Sequence, residues 1–250
     1  MMDRNDFLID APDATKIWRF LDFTKFVDLL EHRSLFFCRA DRLGDQFEGS
    51  FTRHEKLNHE FMDTMEEYKV APGEITVSDF YSKAGRWLRQ WILVNSWHMN
   101  ECESAAMWRL YTQTNQSIAV ESTVGRLKSS ITQPGTYYTQ MEYLDYTNDS
   151  PRVHNPYARK LRSFAHENEF RALRLALPTR LENGTPYLDL WRENQSSGEY
   201  VSARLETLVV RVYVSPGSPD WFFELTAAVT KRYGLAVAVQ RSSLDSEALF

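Results

Sequence analysis

Two glutamates one residue apart are the first candidates for chemistry in this sequence. Glu167 and Glu169 stand at the start of a predicted strand, and Arg171 follows at the next alternate position. Since alternate residues of a strand point to one face, the two carboxylates are expected to lie side by side. Such a pair can bind a divalent cation, split its pKa values for acid and base work, or hold the hydroxyls of a ribose. A solvated strand end, with Glu169 paired to a nearby arginine, explains the pattern equally well.

A second cluster lies in the polar loop after another predicted strand. Arg39 ends the strand, and Asp41, Asp45 and Glu48 follow in the loop. The planar guanidinium of an arginine suits bidentate binding of a phosphate. Alternatively, the two aspartates are turn residues whose carboxylates accept hydrogen bonds from their own backbone. The sequence leaves both interpretations open.

Aromatic residues surround a histidine in the third cluster. His98 beside Trp97 suggests an acid/base group or a metal ligand, although a histidine among aromatic residues is more often a hydrogen-bonded structural residue. Trp97, Trp108 and Tyr111 would line an aromatic cleft able to stack a nucleobase or a partner's ring. The chain has no zinc-type Cys/His spacing, no phosphate-binding glycine motif and no nucleophile elbow.

The elements that must position these residues follow from hydrophobic periodicity. The strand pattern occurs at 16–21, 34–39, 92–98, 117–123, 137–146 and 169–177. Helical spacing occurs at 24–31, 104–111 and 124–130, and a helix is expected to begin at 159–163. Charged amphipathic segments predict an inserted helical lobe over 52–91, and a strand, helix and strand over 208–240 predict a right-handed unit with parallel strands. The expected fold is α+β, a mixed sheet with surrounding helices in one domain, 1–250.

Composition limits the classes of partner. The chain has 29 basic and 34 acidic residues and a net charge of −5, which disfavours extended binding to a nucleic-acid backbone. The sequence contains no stretch of about 18 apolar residues, so no membrane span is predicted. The polar N-terminus does not resemble a secretory signal. Cys38 and Cys102 suit a reducing compartment. A cytoplasmic protein without a membrane partner is expected.

The clusters together resemble a bacterial family, domain of unknown function 2971. The matching stretches are 35–41, 45–49, 97–100, 106–111, 117–120, 122–123, 166–171 and 212–244. The resemblance spans nearly the whole chain and implies a bacterial protein, often from a mobile element or an antiphage defence locus. It implies no particular reaction.

A second likeness bears on chemistry. Arg39, then Ser122 and Thr123 on a strand, then Glu167 and Glu169 are similar in order to the Arg, Ser-Thr-Ser and Glu-x-Glu pattern of arginine-type ADP-ribosyltransferases. This likeness implies that Arg39 holds the NAD phosphates, Thr123 shapes the nicotinamide pocket and Glu169 stabilises an oxocarbenium-like transition state through the ribose. The middle motif departs from the pattern, and Thr123 is also placed to cap the following helix.

Three functions therefore remain open. The first is an enzyme that processes NAD or another nucleotide. The second is a nuclease or phosphoesterase in which Asp45, Glu48, Glu167 and Glu169 gather Mg²⁺. The third is a binding module without catalytic activity that uses the aromatic cleft. The enzyme hypotheses require that residues distant in sequence converge in one concave pocket.

Overall fold

The elements of the fold are helices surrounding a mixed sheet. The computed structural model of the chain describes residues 7–71, 73–111 and 114–246. The strands are β1 (Lys16–Asp22), β2 (Ser34–Arg39), β3 (Ile92–Met99), β4 (Ser117–Thr123), β5 (Thr136–Gln140), β6 (Glu142–Leu144), β7 (Arg159–Leu161), β8 (Glu169–Leu175), β9 (Thr179–Glu182), β10 (Thr185–Leu188), β11 (Gly198–Ser202), β12 (Arg211–Val214) and β13 (Ala238–Arg241). The α-helices are α1 (Phe23–His32), α2 (Arg53–Met62), α3 (Val77–Leu88), α4 (Ala105–Tyr111), α5 (Val124–Ser130), α6 (Leu205–Leu208) and α7 (Asp220–Arg232).

The main sheet has the strand order β11-β2-β3-β1-β4-β12-β13, with β8 also paired to β3, and β5 paired to β8. Its pairs are antiparallel except β12 with β13. Helices and strands thus combine in one mixed sheet, which confirms the predicted α+β class.

The sheet forks at β3, and the fork makes the cleft. Strand β8 pairs with one edge of β3 from Ile92 to His98. On the other edge, β2 pairs only with Leu93 and Val94, and β1 only with His98 and Met99. Strands β1 and β2 therefore diverge from β3, which leaves its middle residues unpaired on that edge.

The principal hydrophobic core covers one face of the sheet. Helix α1 contributes Phe26 and Leu30, and helix α5 contributes Leu127. These side chains pack against residues such as Ile17 and Ile118, which are completely buried. The opposite face carries smaller apolar clusters and most of the buried charged residues described below.

The helical lobe is tied to the sheet side of the molecule by a capping glutamate. The Thr52 hydroxyl accepts a hydrogen bond from the Glu55 backbone, and the Glu55 carboxylate accepts one from the Thr52 backbone, so the two residues form a capping box for α2. The same carboxylate binds the buried Arg159 guanidinium at 2.9 Å. Helices α2 and α3 pack against each other, as the amphipathic pattern predicted.

The C-terminal unit has the predicted topology. Strands β12 and β13 are parallel and are connected through α7. Asp220 lies in the first turn of α7, and Gly234 follows the helix with a φ of 74°. That left-handed conformation is one that glycine adopts without a steric penalty, so it ends the helix. The second strand begins at Ala238, later than predicted.

Several local predictions were wrong. The segment expected to begin a helix at 159–163 starts as β7, because it pairs in parallel with β6. The strand expected over 137–146 is divided between β5 and β6, which belong to different sheets. Strands β9 and β10 were missed, although Asn183 and Gly184 between them both have positive φ and form the Asn-Gly signal of a tight hairpin.

No helix in the described part of the chain is long and apolar enough to cross a membrane. Both cysteines are free thiols. Cys38 is half-buried and Cys102 is exposed.

A buried glutamate fastens the C-terminal segment to α4. The Glu103 carboxylate accepts hydrogen bonds from the Ser243 backbone at 2.5 Å, the Ser243 hydroxyl at 2.6 Å, the Ser242 hydroxyl at 2.6 Å and the Trp108 indole at 2.9 Å. Burial acts to raise the pKa of Glu103, but these hydrogen bonds outweigh burial and hold that pKa below its ordinary value. The ionised carboxylate therefore stabilises the fold.

Replacing Glu103 should destabilise the protein in a pH-dependent way. In Glu103→Gln, an amide NH₂ meets donors that now bind a carboxylate, so we expect the free energy of unfolding to fall by about 2 kcal/mol at pH 7. Because the folded pKa is lowered, the stabilisation is present above the unfolded value of about 4.3 and is lost as the pH falls through the folded value. Urea unfolding at pH 7 and pH 4 measures both effects.

Glu101→Gln is the matched control, because its side chain is 85% exposed in the same loop. Equal stability of Glu103→Gln and the native chain at pH 7 would contradict the stabilising role of the Glu103 carboxylate.

Candidate functional site

The largest described concavity that contains predicted site residues lies in the fork of the sheet. It has a volume of about 690 Å³ and is lined from both faces, for example by Phe20 and His98 on one face and Arg19 and Trp97 on the other. The register accounts for this, since Trp18 pairs with His98 and adjacent strand residues alternate between faces. The cleft therefore passes through the opening between β1 and β2. Its volume is within the range of small-ligand pockets.

Both candidate glutamates line this cleft and share one ammonium group. Glu167 ends a short 3₁₀ turn, Glu169 begins β8, and Asn168 between them is left-handed with a φ of 38°. The Asn168 side-chain amide donates a hydrogen bond to the Met99 carbonyl at 2.6 Å, which stabilises the left-handed conformation of Asn168. Lys160 Nζ on β7 donates to Glu167 Oε2 and, at 3.2 Å, to Glu169 Oε2. The carboxylates thus lie close together, although Glu167 precedes the strand and the left-handed Asn168, not strand alternation, brings them together.

Glu169 is the more strongly neutralised of the two. Arg171 Nε donates to its Oε1 at 2.7 Å, and Arg171 Nη2 donates to its Oε2 at 3.2 Å. Burial acts to raise the pKa of Glu169, but the charges of Arg171 and Lys160 and hydrogen bonds from Arg171 and Ser96 bring it to about 2. Glu169 is therefore ionised at any physiological pH.

Behind Glu169, the same arginine binds a third carboxylate. Arg171 Nη1 and Nη2 donate to Glu48 at 2.5 and 2.9 Å. Glu48 is completely buried and Arg171 is 1% exposed, so neither lines the cleft. Burial raises the pKa of Glu48 despite the opposing effect of Arg171. Both residues therefore support the site from behind.

His98 is held in one tautomer. Its Nδ1 lies 2.6 Å from the Glu167 carbonyl oxygen, which can only accept, so Nδ1 carries the proton. His98 Nε2 is buried and has no hydrogen-bond partner among the described residues. In the neutral ring, that nitrogen is an unused acceptor on a residue that lines the cleft. This geometry suits the acid/base role that the sequence suggested.

Two tyrosines complete the carboxylate end of the cleft. Tyr111 at the end of α4 lines it near Glu167 and is 47% exposed. The Tyr143 hydroxyl accepts a hydrogen bond from the Glu169 backbone at 2.7 Å. Partial burial and the nearby glutamate charges raise the pKa of Tyr111, so its hydroxyl stays protonated and can donate a hydrogen bond.

Arg19 on β1 is a cation in the cleft that the sequence analysis did not select. Its guanidinium lies 5.8 Å from the centroid of the Trp97 ring, and its Nη1 has no hydrogen-bond partner among the described residues. Burial lowers the pKa of Arg19 to about 10, which still leaves it charged at neutral pH. No described carboxylate forms an ion pair with it, so the site retains a positive charge available for an anion.

The predicted convergence of Arg39 with the glutamates does not occur. Arg39 pairs with Leu93 across the β2–β3 ladder, and Glu169 pairs with His98 across the β3–β8 ladder. Leu93 and His98 are five residues apart on one strand, an odd spacing that puts them on opposite faces. Arg39 is also neutralised by Asp41, at 2.9 Å through Nε and 2.6 Å through Nη2, and it binds the Asn194 and Ser196 carbonyls.

Ser122 and Thr123 also have local partners outside the cleft. The buried Ser122 hydroxyl donates to the Leu208 carbonyl at 2.5 Å. The Thr123 hydroxyl caps α5 by accepting a hydrogen bond from the Arg126 backbone at 3.2 Å. The structure therefore favours the capping interpretation of Thr123, and neither residue lines the cleft.

The remaining candidates are dispersed. Trp97 lines the cleft, but its ring is 2% exposed and its Nε1 donates to Asn95 at 2.8 Å. Trp108 packs on Phe20 with 5.0 Å between ring centroids and does not line the cleft, whereas Trp97 and Tyr111 do. Asp45 Oδ1 accepts from the Phe47 backbone at 2.8 Å, which is the turn role left open by the sequence.

The described residues contain no group of three or more His, Cys, Asp or Glu side chains arranged to hold a metal ion. Glu48, Glu167 and Glu169 instead direct their oxygens at Arg171 and Lys160. The four carboxylates expected to gather Mg²⁺ therefore do not form a common ligand set.

Sequence reasoning missed three residues of the site. Ser96 had a usable signal, because it precedes His98 by two positions on one strand and so shares its face. Arg19 also had a usable signal, since it is a charged residue in the middle of the otherwise apolar run of β1. Lys160 had none, because it lies in a strand of three residues whose pairing is not local.

The comparisons give little further information. No protein-family model and no curated protein matches the chain. Membership of the domain of unknown function 2971 family therefore stays a prediction. Among solved structures, Thermus sp. 2.9 DarT in complex with ADP-ribosylated ssDNA is similar with a TM-score of 0.41 and 10% identity, over 96% of this chain and 100% of that chain. A similarity of this size carries no argument about activity, so the site is interpreted from its own geometry.

The Arg171 ion pairs should be essential for stability. Arg171→Met leaves Glu48 and Glu169 without their shared cation, and breaking a buried pair on one side lowers the free energy of unfolding by about 3–5 kcal/mol. The double variant Glu48→Gln/Arg171→Met should recover part of that loss, because it also removes the deepest unpaired carboxylate. Urea unfolding of the native chain, both single variants and the double variant gives the coupling energy.

Arg174→Met is the control on the same strand, and it should change stability by about 1 kcal/mol or less. If the double variant is less stable than the sum of the singles predicts, the ion pair does not stabilise the fold in this way.

Proposed function

We propose that the protein is an enzyme that cleaves the nicotinamide–ribose bond of NAD and transfers the ADP-ribosyl group to an acceptor or to water. The observation that carries this proposal is the side-by-side placement of Glu167 and Glu169 in a cleft that also holds His98 and the unpaired Arg19. Fixed carboxylates stabilise the positive charge that develops on a ribose as its glycosidic bond breaks.

The atoms of the reaction balance without a further co-reactant. The bond from ribose C1′ to the nicotinamide nitrogen breaks, and nicotinamide leaves as a neutral molecule with the bonding electrons. An oxygen or nitrogen of the acceptor forms the new bond to C1′ and releases a proton. His98 Nε2, whose tautomer leaves it free to accept, is the group proposed to take that proton.

The opposite charges of the cleft fit a dinucleotide. The carboxylates favour the ribose whose charge becomes positive, and Arg19 favours the anionic phosphates. The net charge of −5 does not conflict with this, because one guanidinium acts locally. Arg19 thus replaces Arg39 as the proposed phosphate-binding residue.

NAD should stabilise the protein and be consumed by it. We expect the melting temperature to rise by about 5–10 °C when NAD exceeds its dissociation constant about a hundredfold. Chromatography of the released nicotinamide measures the cleavage. ATP at the same concentration is the control ligand. An unchanged melting temperature with millimolar NAD would contradict the proposal, and stabilisation by NAD and ATP alike without cleavage would favour a nucleotide-binding module.

Arg19 should act on substrate binding rather than on bond cleavage. We expect Arg19→Met to raise the KM for NAD by about 10- to 100-fold, because a charge-assisted contact with the phosphates is lost. The kcat should stay within about threefold of the native value. Steady-state kinetics on nicotinamide release measure the two constants separately. Arg86→Met, on the exposed side of α3, is the matched control. An unchanged KM in Arg19→Met would show that Arg19 does not bind the NAD phosphates.

A further inference from the structure

The two carboxylates differ in how many hydrogen bonds they can still accept. An ionised carboxylate has about four lone-pair sites. At Glu169, Arg171 donates twice and Lys160 donates once at 3.2 Å. The protein itself therefore uses most of the acceptor capacity of Glu169.

Glu167 keeps part of its capacity. Among the described residues, only Lys160 donates a hydrogen bond to its carboxylate. Its side chain is 12% exposed, against 5% for Glu169, and both residues line the cleft. About three acceptor sites of Glu167 are thus left for a ligand in the cleft.

Charge neutralisation separates the two residues in the same direction. Glu169 contacts both Lys160 and Arg171, whereas Glu167 contacts Lys160 only. The negative potential that a substrate meets in the cleft therefore arises mainly from Glu167, since opposite charges in contact cancel most of each other's field.

We propose that the two glutamates divide the work: Glu167 contacts the substrate ribose, and Glu169 is a positioning residue that holds Lys160 and Arg171 in place. This inference rests on the proposed NAD-cleaving function. It reverses the role implied by the likeness to arginine-type ADP-ribosyltransferases, in which the second glutamate of the pair is the catalytic one. Here Arg171 and Lys160 already use about three of the four acceptor sites of that residue.

Glutamine variants of the two residues are a matched pair. The cluster contains the carboxylates Glu48, Glu167 and Glu169 and the cations Lys160 and Arg171. Removing either Glu167 or Glu169 leaves two carboxylates and two cations, each cation still with a partner. Both variants should therefore fold, and their melting temperatures check this.

The kinetic effects should be unequal. We expect Glu167→Gln to lower kcat for nicotinamide release by at least about 100-fold, because the carboxylate that faces the ribose is lost. Glu169→Gln should lower kcat by less than about tenfold with an unchanged KM, and Glu169→Asp should restore part of that loss by restoring the ion pairs. Tyr111→Phe keeps every charge of the cluster and removes a hydroxyl that lines the cleft near Glu167, so it should lower kcat about 3- to 10-fold.

The outcomes separate this inference from the proposed function. If the native chain does not cleave NAD, the proposed function is overturned and the division of roles with it. If the native chain cleaves NAD, and a folded Glu169→Gln variant is inactive while Glu167→Gln keeps most of its kcat, only the division of roles is overturned. A loss of less than about tenfold in Glu169→Gln that Glu169→Asp partly restores, together with an inactive, folded Glu167→Gln, supports it.

Discussion

A guanidinium with 1% of its surface exposed lies between two carboxylates, and the geometry of the site follows from that contact. Arg171 binds Glu48 from the loop after β2 and Glu169 from its own strand. Taking these charges out of water is unfavourable unless each is paired and hydrogen bonded. The loop, β8 and the neighbouring β7 lysine must therefore adopt one arrangement, and that arrangement places Glu167 and Glu169 at the wall of the cleft.

The cleft itself results from how β3 is shared. Because β8 occupies one edge of β3, strands β1 and β2 pair with different ends of the other edge and separate between them. The unpaired middle of that edge opens a passage between the two faces of the sheet. A substrate in this passage would meet carboxylates from one face and Arg19 from the other. The opposite charges of the cleft are thus a property of the sheet topology.

Local partners explain why several sequence candidates lie elsewhere. Asp41 is two residues from Arg39 and already neutralises it. Thr123 is at the end of a strand that leads directly into α5, so its hydroxyl caps that helix. Short-range partners of this kind are present before tertiary contacts form, and a motif order alone does not reveal them. Asp45 satisfies its turn in the same way.

The sequence by itself determined most of the helices and strands, the α+β class and the C-terminal crossover, because each depends on periodicity or on residues close in the chain. The tertiary structure decided which distant residues meet. Arg19 and Arg39 lie on the same face of the sheet, opposite Glu169, and only Arg19 lines the cleft, because β1 borders the opening whereas Arg39 is held by Asp41 and by backbone carbonyls. Lys160 reaches both glutamates because a short connection turns the chain back from β7 to the start of β8.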